Sequence, residues 1–116
     1  MYVHVDLCLI PLGVEGSLAS DIAICQRIFK QRGLTHYLHA FGTNIEGEWD
    51  HVMNAIKACH EAVHQAGRVR ISSSLKIGTR TDKQQLLSEK IASVEKLLSG
   101  DQAAVGALEG KEIREP

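Results

Sequence analysis

Two short stretches hold most of the chemistry this chain can offer. HEAVH, residues 60–64, sets His60 and His64 four positions apart. On a helix that spacing projects both imidazoles from one face, where they can share a Zn2+ while Glu61 serves as base. With Gly67 the match extends to H-E-x-x-H-x-x-G. The longer signature asks for a third histidine at position 70, but the residue there is Arg70, a cation that repels a metal. His60 also shares an apolar stripe with Ile56 and Val63, where a packed imidazole is ordinary. A zinc-dependent hydrolase built on His60-Glu61-Ala62-Val63-His64 is therefore the weaker reading, and no metal or other cofactor is expected. The second stretch, GTNIEGEWDHV at residues 42–52, crowds Thr43, Asn44, Glu46 and Glu48 ahead of Trp49. Donors and acceptors of this kind on a short strand suit recognition of the polar edge of a small molecule. The plainer alternative is a turn that caps the helix of Trp49.

Other constellations are thinner. Ser72-Ser73-Ser74 has no base that the sequence can place beside it. Asp6 and Glu46 form a carboxylate pair only if their strands are neighbours. KIGTRTDK, residues 76–83, puts one Lys, one Gly and one Arg before a helix start, which makes either a weak anion site or a solvated turn with a capping Asp.

These residues need elements to position them. YVHVDLCLI (2–10) alternates strictly, with Val3, Val5, Leu7 and Leu9 on one face and His4, Asp6 and Cys8 on the other, as in a strand with one wet side. Residues 17–33 change to a helical period, with Leu18, Ile22, Cys25, Ile28 and Phe29 on one face, Ser17 or Ser20 as N-cap and Gly33 past the end. Residues 34–47 read as two short strands around a turn near Gly42. Residues 48–67 make the clearest helix, with Trp49, Val52, Met53, Ile56, Cys59, His60 and Val63 inward and Gly67 closing it. Residues 68–80 alternate again, with Val69, Ile71, Ser73, Leu75 and Ile77 on one face and Arg70, Ser72, Ser74 and Lys76 on the other. A last helix is expected over 81–100, capped by Thr81 or Asp82 with Gln84 or Gln85 completing a capping box, and with Leu87, Ile91, Val94 and Leu98 inward.

The order β-α-β-β-α-β followed by a helix predicts an α+β fold, the ferredoxin-like βαββαβ sandwich with an additional C-terminal helix. The domain is expected over 1–100, with a mobile tail at 101–116, where the apolar face disappears. A chain of 116 residues with 44% hydrophobic content can bury one small core. The formal net charge is -1 with Lys and Arg scattered, so nucleic acid and anionic membrane are not expected partners. No apolar run approaches the ~18 residues of a membrane span, and the first residues lack the basic start and cleavage site of a signal peptide. Cys8, Cys25 and Cys59 read as buried, reduced thiols, which points to the cytosol.

Several motifs occur together and in order: LIPLG, the S-x-x-S-D helix opening at Ser17–Asp21, GTNIEGEWDHV, the HEAV helix that ends in AG, and RISSSLKIGTRTDK. In this the chain resembles the thiamine-binding protein family, also called YkoF-like, and its fungal members in particular. The likeness runs from Tyr2 to about Leu98, and G-T-x-x-E-G and R-x-D-K are its most specific parts. It implies non-enzymatic binding of thiamine or its hydroxymethylpyrimidine part by a cytoplasmic protein that self-associates as a dimer or dimer of dimers. Thr43, Glu46 and Gly47 match the motif, while Asn44 and the second His of HEAVH depart from it. An aminopyrimidine presents ring-nitrogen acceptors and an amino donor, which Glu46, Thr43 and Asn44 can meet. Asp6 on the wet face can oppose a thiazolium cation, and Ser74 and Lys76 can complete the polar wall. The rival reading is an interaction protein of the same fold whose polar face only mediates assembly.

Overall fold

A computed structural model of the chain describes residues 1–107, with side chains for residues 1–100. Along the chain run β1 (Tyr2–Leu12), α1 (Ala19–Gln31), β2 (Thr35–His39), β3 (Gly42–Glu48), α2 (Trp49–Gln65), β4 (Arg70–Gly78) and α3 (Leu87–Ala107). The strands form one antiparallel sheet in the order β2-β3-β1-β4. This is the ferredoxin-like α+β arrangement with an additional C-terminal helix. Both crossovers skip a strand, so β1 sits in the middle of the sheet, between β3 and β4.

The alternation of β1 decides where the core lies. Val3, Val5 and Leu7 are at most 3% exposed and meet Phe29 of α1, Ile45 of β3, and Val52, Cys59 and Val63 of α2. Both α1 and α2 thus cover one face of the sheet.

The two helices end alike. After α1, Gly33 takes φ 69°, its N–H donates to the Lys30 carbonyl and the Leu34 N–H donates to the Phe29 carbonyl. After α2, Gly67 takes φ 109°, with Gly67 N–H to His64 and Arg68 N–H to Val63. Both are Schellman turns, which need a residue free to adopt positive φ. The second turn also places Arg68, whose Nε and Nη2 donate to the two carboxylate oxygens of Asp21 at 2.9 Å each. Asp21 is 2% exposed, and the Arg68 guanidinium hydrogen-bonded to it holds its carboxyl below the usual carboxylate range against the opposing effect of burial.

The buried face of α1 is therefore rotated from the one its apolar residues suggest. Asp21, Cys25 and Phe29 are buried, while Ile22 is 38% exposed. A charged residue lies inward because Arg68, from the connection between α2 and β4, neutralises it. On β4, Ile71 is half-buried, but Leu75 and Ile77 of the expected inner face are 37% and 43% exposed, and Val69, just ahead of the strand, is 86% exposed.

The helix expected from Thr81 starts at Leu87 instead. Asp82 lies outside it and pairs with its neighbour: Arg80 Nε donates to Asp82 Oδ1 at 2.7 Å, and the guanidinium holds that carboxyl down to about 2. The capping arm comes from Glu89, whose Oε1 accepts from the Leu86 N–H at 2.9 Å. The residues fall into two compact units, Met1–Gln84 and a second beginning at Gln85. In the second, Leu87 is buried, but Ile91, Val94 and Leu98 are 54%, 56% and 53% exposed rather than inward. A lone helix has no second layer of its own to cover such a stripe. Of the tail expected at 101–116, residues 108–116 lie outside the described residues, and α3 carries the backbone as far as Ala107.

Candidate functional site

Register places most of the residues singled out above on the face turned away from α1 and α2. Asp6 lies between Asn44 on β3 and Lys76 on β4. One row away His4 faces Glu46, and on the other side Cys8 faces Ser74. Asp6, Asn44, Glu46, Ser74 and Lys76 are thus brought to one surface. Asp6 is exposed, but Glu46 is only 2% exposed. Tyr2 Oη donates to Glu46 Oε1 at 3.0 Å, and His4 Nε2 lies 3.7 Å from the same oxygen. Burial, and then the hydrogen bond to Glu46 and its charge, push the Tyr2 phenol up to about 12. A carboxylate on the outer face of a sheet is here enclosed by its own neighbours.

Thr43 is not part of this group. One position from Asn44, the pleat turns it to the helix side, where it is 5% exposed and its Oγ1 accepts from Gln26 Nε2 at 2.9 Å. Beside this pair lies a cleft of about 250 Å³ between the end of β1, the β2–β3 hairpin and α1. Leu7, Leu9, Leu18, Ile22 and Leu38 make it apolar, while Gln26 and Thr43 supply polar groups. Among the described residues that line it there is no Lys or Arg. The sequence reading missed Gln26. The available signal was its helical spacing from Ile22, which puts both residues on one line of α1, and both line the cleft.

Gly42 holds the hairpin against β1. A Cβ at this position would lie 2.5 Å from the Leu7 carbonyl oxygen and 3.3 Å from His39 Cε1. With no side chain there, the His39 ring can cross Gly42, and its Nε2 reaches Asp6 Oδ1 at 2.7 Å.

The histidines of HEAVH face other partners. His60 Nε2 lies 2.6 Å from Ser73 Oγ on β4, and His64 Nδ1 lies 2.7 Å from the Arg68 carbonyl. Burial, and then the neighbouring His64, lower the His60 pKa. Among the described residues no group of three or more His, Cys, Asp or Glu is placed to hold a metal ion. Cys25 and Cys59 are buried and Cys8 is half-buried, on the face away from the helices. A hydrogen bond to Cys25, together with burial, pushes the Cys59 thiol well above the usual range.

Fold and sequence agree on a lineage. Residues 5–95 match the thiamine-binding protein family, and the chain belongs to it. A UPF0045 protein of the cyanobacterium Synechocystis is 56% identical over 95 residues, covering 82% of this chain and 78% of the relative. A fungal UPF0045 protein, from Eremothecium gossypii, is 42% identical over 100 residues, covering 85% and 95%. Among solved structures, a hypothetical protein of Methanocaldococcus jannaschii superposes with a TM-score of 0.74 at 31% identity, covering 81% of this chain and 96% of that one. A Thermotoga maritima protein named as a candidate for thiamine biosynthesis or salvage shares the fold, with a TM-score of 0.69 at 20% identity over 81% and 99%.

Proposed function

We propose that this chain binds thiamine, or the hydroxymethylpyrimidine part of it, without catalysing its conversion. The observation that carries the reading is the Gln26–Thr43 pair in the wall of the apolar cleft. Thr43 Oγ1 accepts from Gln26, so the Thr43 hydroxyl proton can be donated to a ring nitrogen. The carbonyl of the Gln26 amide can accept from an exocyclic amino group. Apolar walls of Leu7, Leu9 and Leu38 suit the faces of such a ring. A volume of about 250 Å³ is small beside the ~300–1,000 Å³ of sites for drug-sized ligands, which favours one ring over the whole two-ring vitamin. A lining without Lys or Arg favours the unphosphorylated form. Three free cysteines support a reducing compartment such as the cytosol. Edge strands β2 and β4 support self-association as a dimer or dimer of dimers.

Isothermal titration with hydroxymethylpyrimidine and with thiamine tests this. Wild-type protein is expected to give saturable heat, Thr43→Val to bind about tenfold more weakly, as for one lost hydrogen bond, and Ser74→Ala with Lys76→Ala to bind as the wild type does. If the second pair of changes loses affinity while Thr43→Val keeps it, the site belongs on the other face with Asp6, Asn44 and Glu46. No heat at millimolar ligand from folded protein supports the second reading, in which that face seals an interface between copies. Ile10 and Tyr37, 42% and 44% exposed on the same face, favour this reading, and light scattering would report the assembly.

A further inference from the structure

The tip of the β2–β3 hairpin holds an aromatic ring at the mouth of the cleft. His39 pairs with Gly42, so Ala40 and Phe41 alone make the turn. Neither is a residue that two-residue turns favour. A clamp from the strand takes the place of turn chemistry. The Phe41 N–H donates to His39 Nδ1 at 3.2 Å, so Nδ1 is the acceptor and the ring proton sits on Nε2, which donates to Asp6 Oδ1 at 2.7 Å. The chain Asp6–His39–Phe41 runs from the middle strand across Gly42 to the tip, and Gly42 must be bare for the imidazole to cross. Phe41 lines the cleft and is nonetheless 87% exposed. A ring this exposed has apolar area left to bury against a partner.

We propose that Phe41 stacks on the flat ring of the ligand in the cleft, and that Asp6 and His39 are positioning residues that hold it there from the opposite side of the sheet. This rests on the binding reading above and adds a residue that recognises the ring's face where Gln26 and Thr43 recognise its edge. Asp6 thereby acts on the ligand through the hairpin and not by contact.

The test is calorimetry of the full chain with hydroxymethylpyrimidine as probe, with thermal melts to show each variant is folded. Phe41→Ala is expected to weaken binding about 2- to 10-fold, as for a lost aromatic pair, and Phe41→Trp to restore it. Asp6→Ala is expected to weaken binding, whereas Asp6→Asn, which keeps an acceptor oxygen, is expected to recover it. In a Phe41→Trp, Trp49→Phe protein the ligand is expected to quench the single tryptophan, a signal that a merely structural role for the tip does not produce. Wild-type affinity in both Phe41→Ala and Asp6→Ala, or no quenching on saturation, overturns the proposal. If Thr43→Val still loses affinity in that case, the cleft reading survives and only the role of Phe41 falls. A wild-type protein that binds nothing removes both.

Discussion

The two sides of the central strand β1 carry the same backbone and opposite physics. Toward α1 and α2, Val3, Val5 and Leu7 are sealed among helix side chains, and Thr43, a polar strand residue on this side, is matched to Gln26. On the other side Asp6 and Lys76 are exposed, yet Glu46 on the same surface is as buried as Val5, at 2%. Alternation therefore decides which side a residue takes but not how deep it lies. Depth depends on neighbours, here Tyr2 and His4 around a carboxylate. A concave space arises on the helix side because a helix can stand off from a sheet end.

The two sides are expected to differ most in what their core and surface residues contribute to stability. Phe29→Ala on the helix side is expected to cost about 3–5 kcal/mol of unfolding free energy, and Lys76→Ala on the outer side to stay within about 0.5 kcal/mol, both read from urea melts. Equal losses would mean that the two sides are not energetically distinct.

The next effect concerns Asp21, the one charged residue buried on the helix side of α1. Arg68→Ala leaves that carboxylate without its bidentate partner and is expected to lower the urea midpoint at neutral pH, by less than Phe29→Ala does. The Asp21 pKa is lowered by folding, so its contribution is present above the unfolded value of about 4 and disappears as pH falls through the lower folded value. The acid limb of the stability profile is therefore expected to flatten in Arg68→Ala. An unchanged acid limb would show that the pair contributes nothing.

The third effect concerns the outer side. Tyr2→Phe deprives buried Glu46 of a donor and is expected to cost about 1–3 kcal/mol, more than any change at exposed Lys76. Folding raises the Tyr2 phenol to about 12, so its contribution is present below the unfolded value of about 10 and is lost as pH rises through about 12. Wild-type stability should therefore fall between those values, and Tyr2→Phe should lack that part of the decline. A Tyr2→Phe profile that overlays the wild type would place Glu46 in solvent contact after all.

The amino-acid sequence by itself determined the order of the elements and the buried faces of β1 and α2. Val3, Val5 and Leu7 announce a half-buried strand, and Val52, Ile56, Cys59 and Val63 announce the inner stripe of α2, because periods of 2 and 3.6 are local properties of the chain. From these and the glycines at 33 and 67, the ferredoxin-like order could be read. The start of α3 could not: Asp82 pairs with Arg80, and Glu89 supplies the capping arm instead. Tertiary structure alone decided which polar groups meet. Gln26 and Thr43 are 17 residues apart, Asp6 and His39 are 33 apart, and Asp21 and Arg68 are 47 apart. No local pattern links positions at such distances. They become neighbours only when crossovers lay β1 beside β3 and dock α1 against the sheet, and the same pleat that groups Asn44 with Asp6 sends Thr43 to the cleft on the other side.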